Sequence, residues 1–204
     1  MNPLLIRRRG MMKAQQGGLP YDAEIEYLES SGTQYIDTGI IPDDTYGMSI
    51  DLYKLTNADS YCCGLRDTTG DTRYCIGTIT ISAYGGWGGI LNSLTMDVNT
   101  RAVVELNFLN SRYLQVNGQG SITFNTLPFT PTNEIRIFGS SGVSASYTKY
   151  TGRVYGFKIS KGSDIIMDMI PVRVGSVGYM YDRVSGQLFG NQGTGNFVLG
   201  PDKN

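Results

Sequence analysis

Apolar and polar residues alternate with a period of two along most of this chain. Residues 153–159 set Val154 and Gly156 against Tyr155, Phe157 and Ile159, the pattern of a half-buried strand. Residues 46–55 place Met48, Ile50 and Leu52 on one face and Ser49, Asp51 and Tyr53 on the other. In 101–108, Ala102, Val104, Leu106 and Phe108 fall together. Such alternation marks antiparallel sheet with one solvated face. Turn formers punctuate the runs. Lys161-Gly162-Ser163 returns 153–159 into 164–170, and Asp67-Thr68-Thr69-Gly70 joins 61–65 to 73–81. Asn117-Gly118 is the strongest hairpin signal, between 112–116 and 121–124. Shorter strands are expected at 24–28, 33–39 and 134–138. Residues 83–89, with one Trp between glycine pairs, predict a loop and not a core strand. No stretch carries a convincing helical period. An all-β sandwich or barrel follows, with residues 151–201 expected at its closing edge.

Composition narrows this further. At 204 residues the chain accommodates one sandwich domain, here 21–204, preceded by an arm, 1–20. The charge is sparse and balanced, with a formal net of −1, so no nucleic-acid footprint is expected. There is no histidine. That removes His-dependent acid–base and nucleophile systems and nearly all zinc sites. Cys62, Cys63 and Cys75 are an odd set with an adjacent pair, which favours small buried thiols over a disulfide framework.

The first residues differ from the rest. Leu4, Leu5 and Ile6 precede Arg7, Arg8 and Arg9, and Met11 and Met12 follow, before a hinge at Gly17, Gly18 and Pro20. The apolar piece precedes the positive charges and is far too short for a signal or a membrane span. Neither secretion by a leader nor membrane insertion is expected. A basic, apolar arm of this kind is expected to be either a disordered terminus or an assembly anchor, held by its own domain, a neighbouring subunit or a larger assembly.

Two stretches carry a resemblance. Residues 27–39, YLESSGTQYIDTG, and residues 152–195, from GRVYGFKI through DRVSG to GTG, resemble a concanavalin A-like (laminin-G-like) jelly-roll module. The hairpin at Tyr113-Leu114-Gln115-Val116-Asn117-Gly118 is similar to a strand and turn of the same module. Modules of this kind occur in structural proteins of bacteriophages of gut bacteria and in related bacterial surface proteins. The resemblance implies an antiparallel two-sheet jelly-roll sandwich whose first and last strands lie side by side. It also implies a virion structural protein, made in the host cytoplasm, that docks on other virion proteins and displays a lectin-like domain toward a host-surface glycan. The alternative is a stand-alone carbohydrate-binding module.

Candidate chemistry is thin. Glycoside hydrolysis needs two carboxylates across a cleft. Glu24 and Glu26, or Asp164 and Asp168, are the pairs in view, and neither has the spacing of a glucanase motif, so no enzyme is expected. Asp67, Thr69 and Asp71 give only an ordinary loop pattern for calcium, and no cofactor or metal is expected. For glycan binding the candidates are Tyr84 and Trp87, aromatic faces on a glycine-rich loop, set against a Trp folded back onto the core.

Overall fold

The computed structural model describes residues 18–67, 72–88, 90–107, 113–123, 130–142 and 150–204. The arm residues Leu4 to Met12 lie outside the described residues, as do Thr69 and Asp71. Among the described residues every regular element is a strand, and no helix is long and apolar enough to cross a membrane.

In chain order the strands are β1 (Ala23–Glu24), β2 (Leu28–Ser31), β3 (Ile36–Asp37), β4 (Tyr46–Lys54), β5 (Ser60–Arg66) and β6 (Arg73–Ile79). Then come β7 (Ser82–Gly88), β8 (Ile90–Thr95), β9 (Arg101–Asn107), β10 (Tyr113–Val116), β11 (Gln119–Thr123) and β12 (Arg136–Ile137). The last five are β13 (Thr151–Lys161), β14 (Asp164–Val174), β15 (Val177–Asp182), β16 (Gln187–Gly190) and β17 (Val198–Leu199). They form two antiparallel sheets in a sandwich. The larger runs β11-β10-β9-β4-β13-β14-β15-β16, and the smaller runs β3-β12-β5-β6-β7-β8.

The inward halves of the alternating strands meet between the sheets. Met48, Ile50, Leu52, Val104, Leu106, Phe157 and Met169 come from the large sheet, and Cys63, Leu65, Ile76, Trp87 and Ile137 from the small one. Burial of this apolar surface holds the layers together. All three cysteines are free and buried, with Cys63 Sγ 3.7 Å from Met48 Sδ.

The two resembling stretches do lie side by side. β2 pairs with β13, Leu28 opposite Val154, and on its other edge with β17, Leu28 opposite Leu199. Gln34 fastens this corner. Its Oε1 accepts from the Ser31 N–H at 2.9 Å, and its Nε2 donates to the Asn196 carbonyl at 3.1 Å.

Three expectations change. Residues 151–201 do more than close the edge: β16 ends the large sheet, whereas β13 lies at its middle. β4 flanks it along one side, and β2 and then β14 share the other. Residues 83–89 are not a loop either, since β7 is a regular strand between β6 and β8. Its glycines make close packing possible: a Cβ on Gly85 would fall 2.9 Å from Leu106 and 3.0 Å from Leu114. Finally, β13 does not alternate strictly. A bulge places Val154 opposite Leu52 and Gly156 opposite Asp51, so Tyr155 is an extra residue. Beyond it the parity flips, which buries Phe157 and Ile159 and turns Lys158 outward.

Candidate functional site

The outward halves of the same strands build a featured surface. Register fixes one straight row across five strands. Gln115 on β10 lies opposite Glu105 on β9, Glu105 opposite Ser49 on β4, Ser49 opposite Lys158 on β13, and Lys158 opposite Asp168 on β14. Each link is a cross-strand pair on one face, at a strand spacing of about 4.8 Å.

This polar row lies between two depressions, each with a glycine in its lining. On one side Gly47 lies opposite Asn107, which lies opposite Tyr113. With Ser160 and Ile165 they line a hollow of about 150 Å³. On the other side Gly156 lies opposite Asp51, and with Tyr155, Val103, Ile170 and Arg183 they line a hollow of about 350 Å³. Ser49, Glu105 and Lys158 line both, so the two form one groove running along the strands. A Cβ on Gly156 would make a single ordinary contact, 3.5 Å from the Met169 carbonyl oxygen. The dent exists because a side chain is missing there.

The charges of the groove are unequally engaged. Asp51 takes a bidentate pair from Arg101, with Nε at 2.9 Å and Nη2 at 2.8 Å, and this holds the guanidinium even more firmly protonated than usual. Asp168 receives Arg183 Nη2 at 2.6 Å and Lys158 Nζ at 4.0 Å. Among the described residues the Glu105 carboxylate has neither an ion pair nor a hydrogen bond, although the residue is half-buried in the groove wall.

Past the larger hollow the face is self-satisfied. The Arg101 guanidinium stacks 3.8 Å over the Tyr155 ring, which tilts against Tyr27 at 5.4 Å. Arg153 bonds Glu29 at 2.6 Å and stands 4.4 Å over Tyr27 and 5.3 Å over Tyr53. This cation–aromatic ladder braces Tyr155 at the groove's edge.

The residues singled out from sequence fare differently. Tyr84 and Trp87 are only 7% and 2% exposed. Trp87 meets Tyr74 edge-on at 5.1 Å inside the sandwich, and the Tyr84 hydroxyl bonds Asp59 at 3.0 Å on the other side of β7. They therefore offer no shared ring face to a sugar, a correction that follows from β7 being a strand, whose neighbours at odd spacing point to opposite faces. Glu24 sits at a solvated corner, bonded by Tyr21 at 3.3 Å. Asp168 does reach the groove, as the partner of Arg183. Sequence reasoning missed Glu105 and Gly156 altogether. The Ser49/Asp51/Tyr53 face was visible as polar, but which strands it meets was not.

No protein-family model matches the chain, and no curated protein does. Among solved structures it resembles the crystal structure of a candidate carbohydrate-binding protein from Bacteroides ovatus, with a TM-score of 0.60 and 11% identity. The match covers 89% of this chain and 61% of that one, so this chain spans less than two thirds of its neighbour's length. At this identity the likeness shows a shared fold.

Proposed function

We propose that the chain is a carbohydrate-binding, lectin-like module that takes glycan in the groove across β4, β9 and β13. The observation that carries this reading is the groove itself, two dents on either side of a row of hydrogen-bonding side chains. The larger, about 350 Å³, is within the size range of small-molecule sites. Sugars present rings of hydroxyls and apolar C–H faces. Glu105, Ser49, Lys158 and Asp168 supply acceptors and donors for the first, and Tyr155 and Val103 supply apolar surface for the second. The Bacteroides ovatus neighbour supports the same class of ligand by its description.

Binding without turnover is part of the proposal. A glycosidase uses two carboxylates about 5–10 Å apart. Asp51, diagonal to Glu105 on the neighbouring strand, is near enough, but both its oxygens are taken by Arg101. Asp168 lies three strand spacings from Glu105, about 14 Å. Docking on a virion through the arm, residues 1–20, rests on the sequence resemblance and the arm's basic, apolar composition, and the groove favours the glycan-binding alternative.

Gly156→Val tests the site directly. The substituted side chain intrudes into the larger hollow while meeting open space, so a glycan array should lose its signals by at least about tenfold as the melting temperature holds. Unchanged array signals would move the site elsewhere. Product analysis of bound glycans should find no cleavage.

A further inference from the structure

Resting on the glycan-binding reading, we infer that the groove selects the interior of an uncharged oligosaccharide chain, laid along the strands from Tyr113 to Tyr155. Length comes first. Gly47 and Asp51, which stand level with the two hollows, are four residues apart on β4, about 13 Å at strand rise. A single pyranose ring cannot bridge that distance, whereas a short chain fills both hollows and crosses the row between them. Because Ser49, Glu105 and Lys158 line both hollows, a sugar in either one touches the same polar centre.

Charge decides the class of chain. Three carboxylates, Asp51, Glu105 and Asp168, stand with three cations, Arg101, Lys158 and Arg183, and they balance. A balanced groove gives no net field to draw in a polyanion or a polycation, and any ionised sugar loses its hydration without compensation. The two outer carboxylates already face guanidinium groups. Glu105, at the middle, does not. A carboxylate with free lone pairs accepts two hydroxyl protons from a vicinal diol, a strong charge-assisted pair of bonds. Glu105 is thus the polar anchor of the chain's central sugar.

Calorimetric titration with neutral gluco-, manno-, xylo- and galacto-oligosaccharides, each from mono- to hexasaccharide, and with oligogalacturonides of equal length tests this. Wild type should ignore the monosaccharides and bind at least one neutral series with affinity that climbs until both hollows are spanned and then levels. Oligogalacturonides should bind at least about tenfold more weakly. Glu105→Gln keeps the shape, so it should fold as wild type and bind the neutral chain roughly five- to tenfold more weakly. A monosaccharide as tight as the hexasaccharide, an acidic chain matching the neutral one, or an unaffected Glu105→Gln protein would each overturn the inference while leaving glycan binding standing. If no sugar of either kind binds wild type, the proposed function falls and takes this inference with it.

Discussion

Trp87 is a residue whose burial decides its role. Its ring is held edge-on to Tyr74 within the core cluster. Truncating it to alanine opens a large cavity and should cost about 3–5 kcal/mol in urea unfolding. Trp87→Phe, which keeps most of the volume, should bind glycan as wild type does. Lost binding at intact stability would put Trp87 back into the site. The aromatic residue was legible in the sequence but its setting was not, because glycine says little about what it makes room for. Gly77 shows why: a Cβ there would fall 2.2 Å from the Tyr84 ring, so the space belongs to an aromatic on the neighbouring strand. Lys54 was equally hidden. It ends β4 fully buried, with its ammonium donating to the carbonyls of Thr80 and, at 3.2 Å, Met96. Nothing in an alternating run marks which lysine will be satisfied by two turns far along the chain.

At the scale of elements, the hairpin signal was read well, while the strand at 82–88 and the register were not. Asn117 and Gly118 take φ of 53° and 67°, the left-handed pair that a two-residue hairpin requires. Asn117 adds a second function, since its side-chain oxygen accepts the Val103 N–H at 2.9 Å and its own N–H donates to the Val103 carbonyl at 2.8 Å. The turn therefore docks β10 on β9 and sets Tyr113 at the groove's end. Gly118→Val meets no steric obstacle, so its cost is conformational, about 1–2 kcal/mol. Hydrogen exchange should speed up in β10 and β11 ahead of the rest, and global exchange at unchanged protection between the sheets would contradict that. The groove was illegible for a different reason. Its row depends on the bulge at Tyr155, and one extra residue reverses which side chains face out for the rest of β13. A period-two reading carried through 153–159 without the bulge groups Tyr155 with Phe157, whereas the fold separates them.

For the whole molecule, the buried ionisable groups set an upper limit of pH. Burial pushes the thiols of Cys62 and Cys63 and the phenols of Tyr74 and Tyr150 well above their ordinary 9.0 and 10.0. The unfolded chain releases these protons first, so above pH 9 the folded state binds more of them and stability falls as pH rises. Each group costs about 1.4 kcal/mol per pH unit past its ordinary value. All four groups act in the same direction, so their losses add as pH rises. Lys54 works the other way, its burial lowering the pKa from 10.5, but one group does not reverse four. Tyrosinate absorbance and circular dichroism should therefore change together, in one cooperative step between pH 9 and 11. A gradual titration with the fold retained would refute it.

The way the chain enters and leaves the sandwich has a mechanical meaning. Ile25 bridges Asp202, the Lys203 N–H donates to the Glu24 carbonyl at 2.9 Å, and Arg173 grips Asp202 beside them at 2.6 Å. Entry and exit thus share one corner, as two antiparallel segments. Tension applied through residues 22 and 203 would open that corner like a zipper, one hydrogen bond at a time, instead of shearing many at once. The sandwich would therefore make a weak mechanical link if it were pulled through that corner.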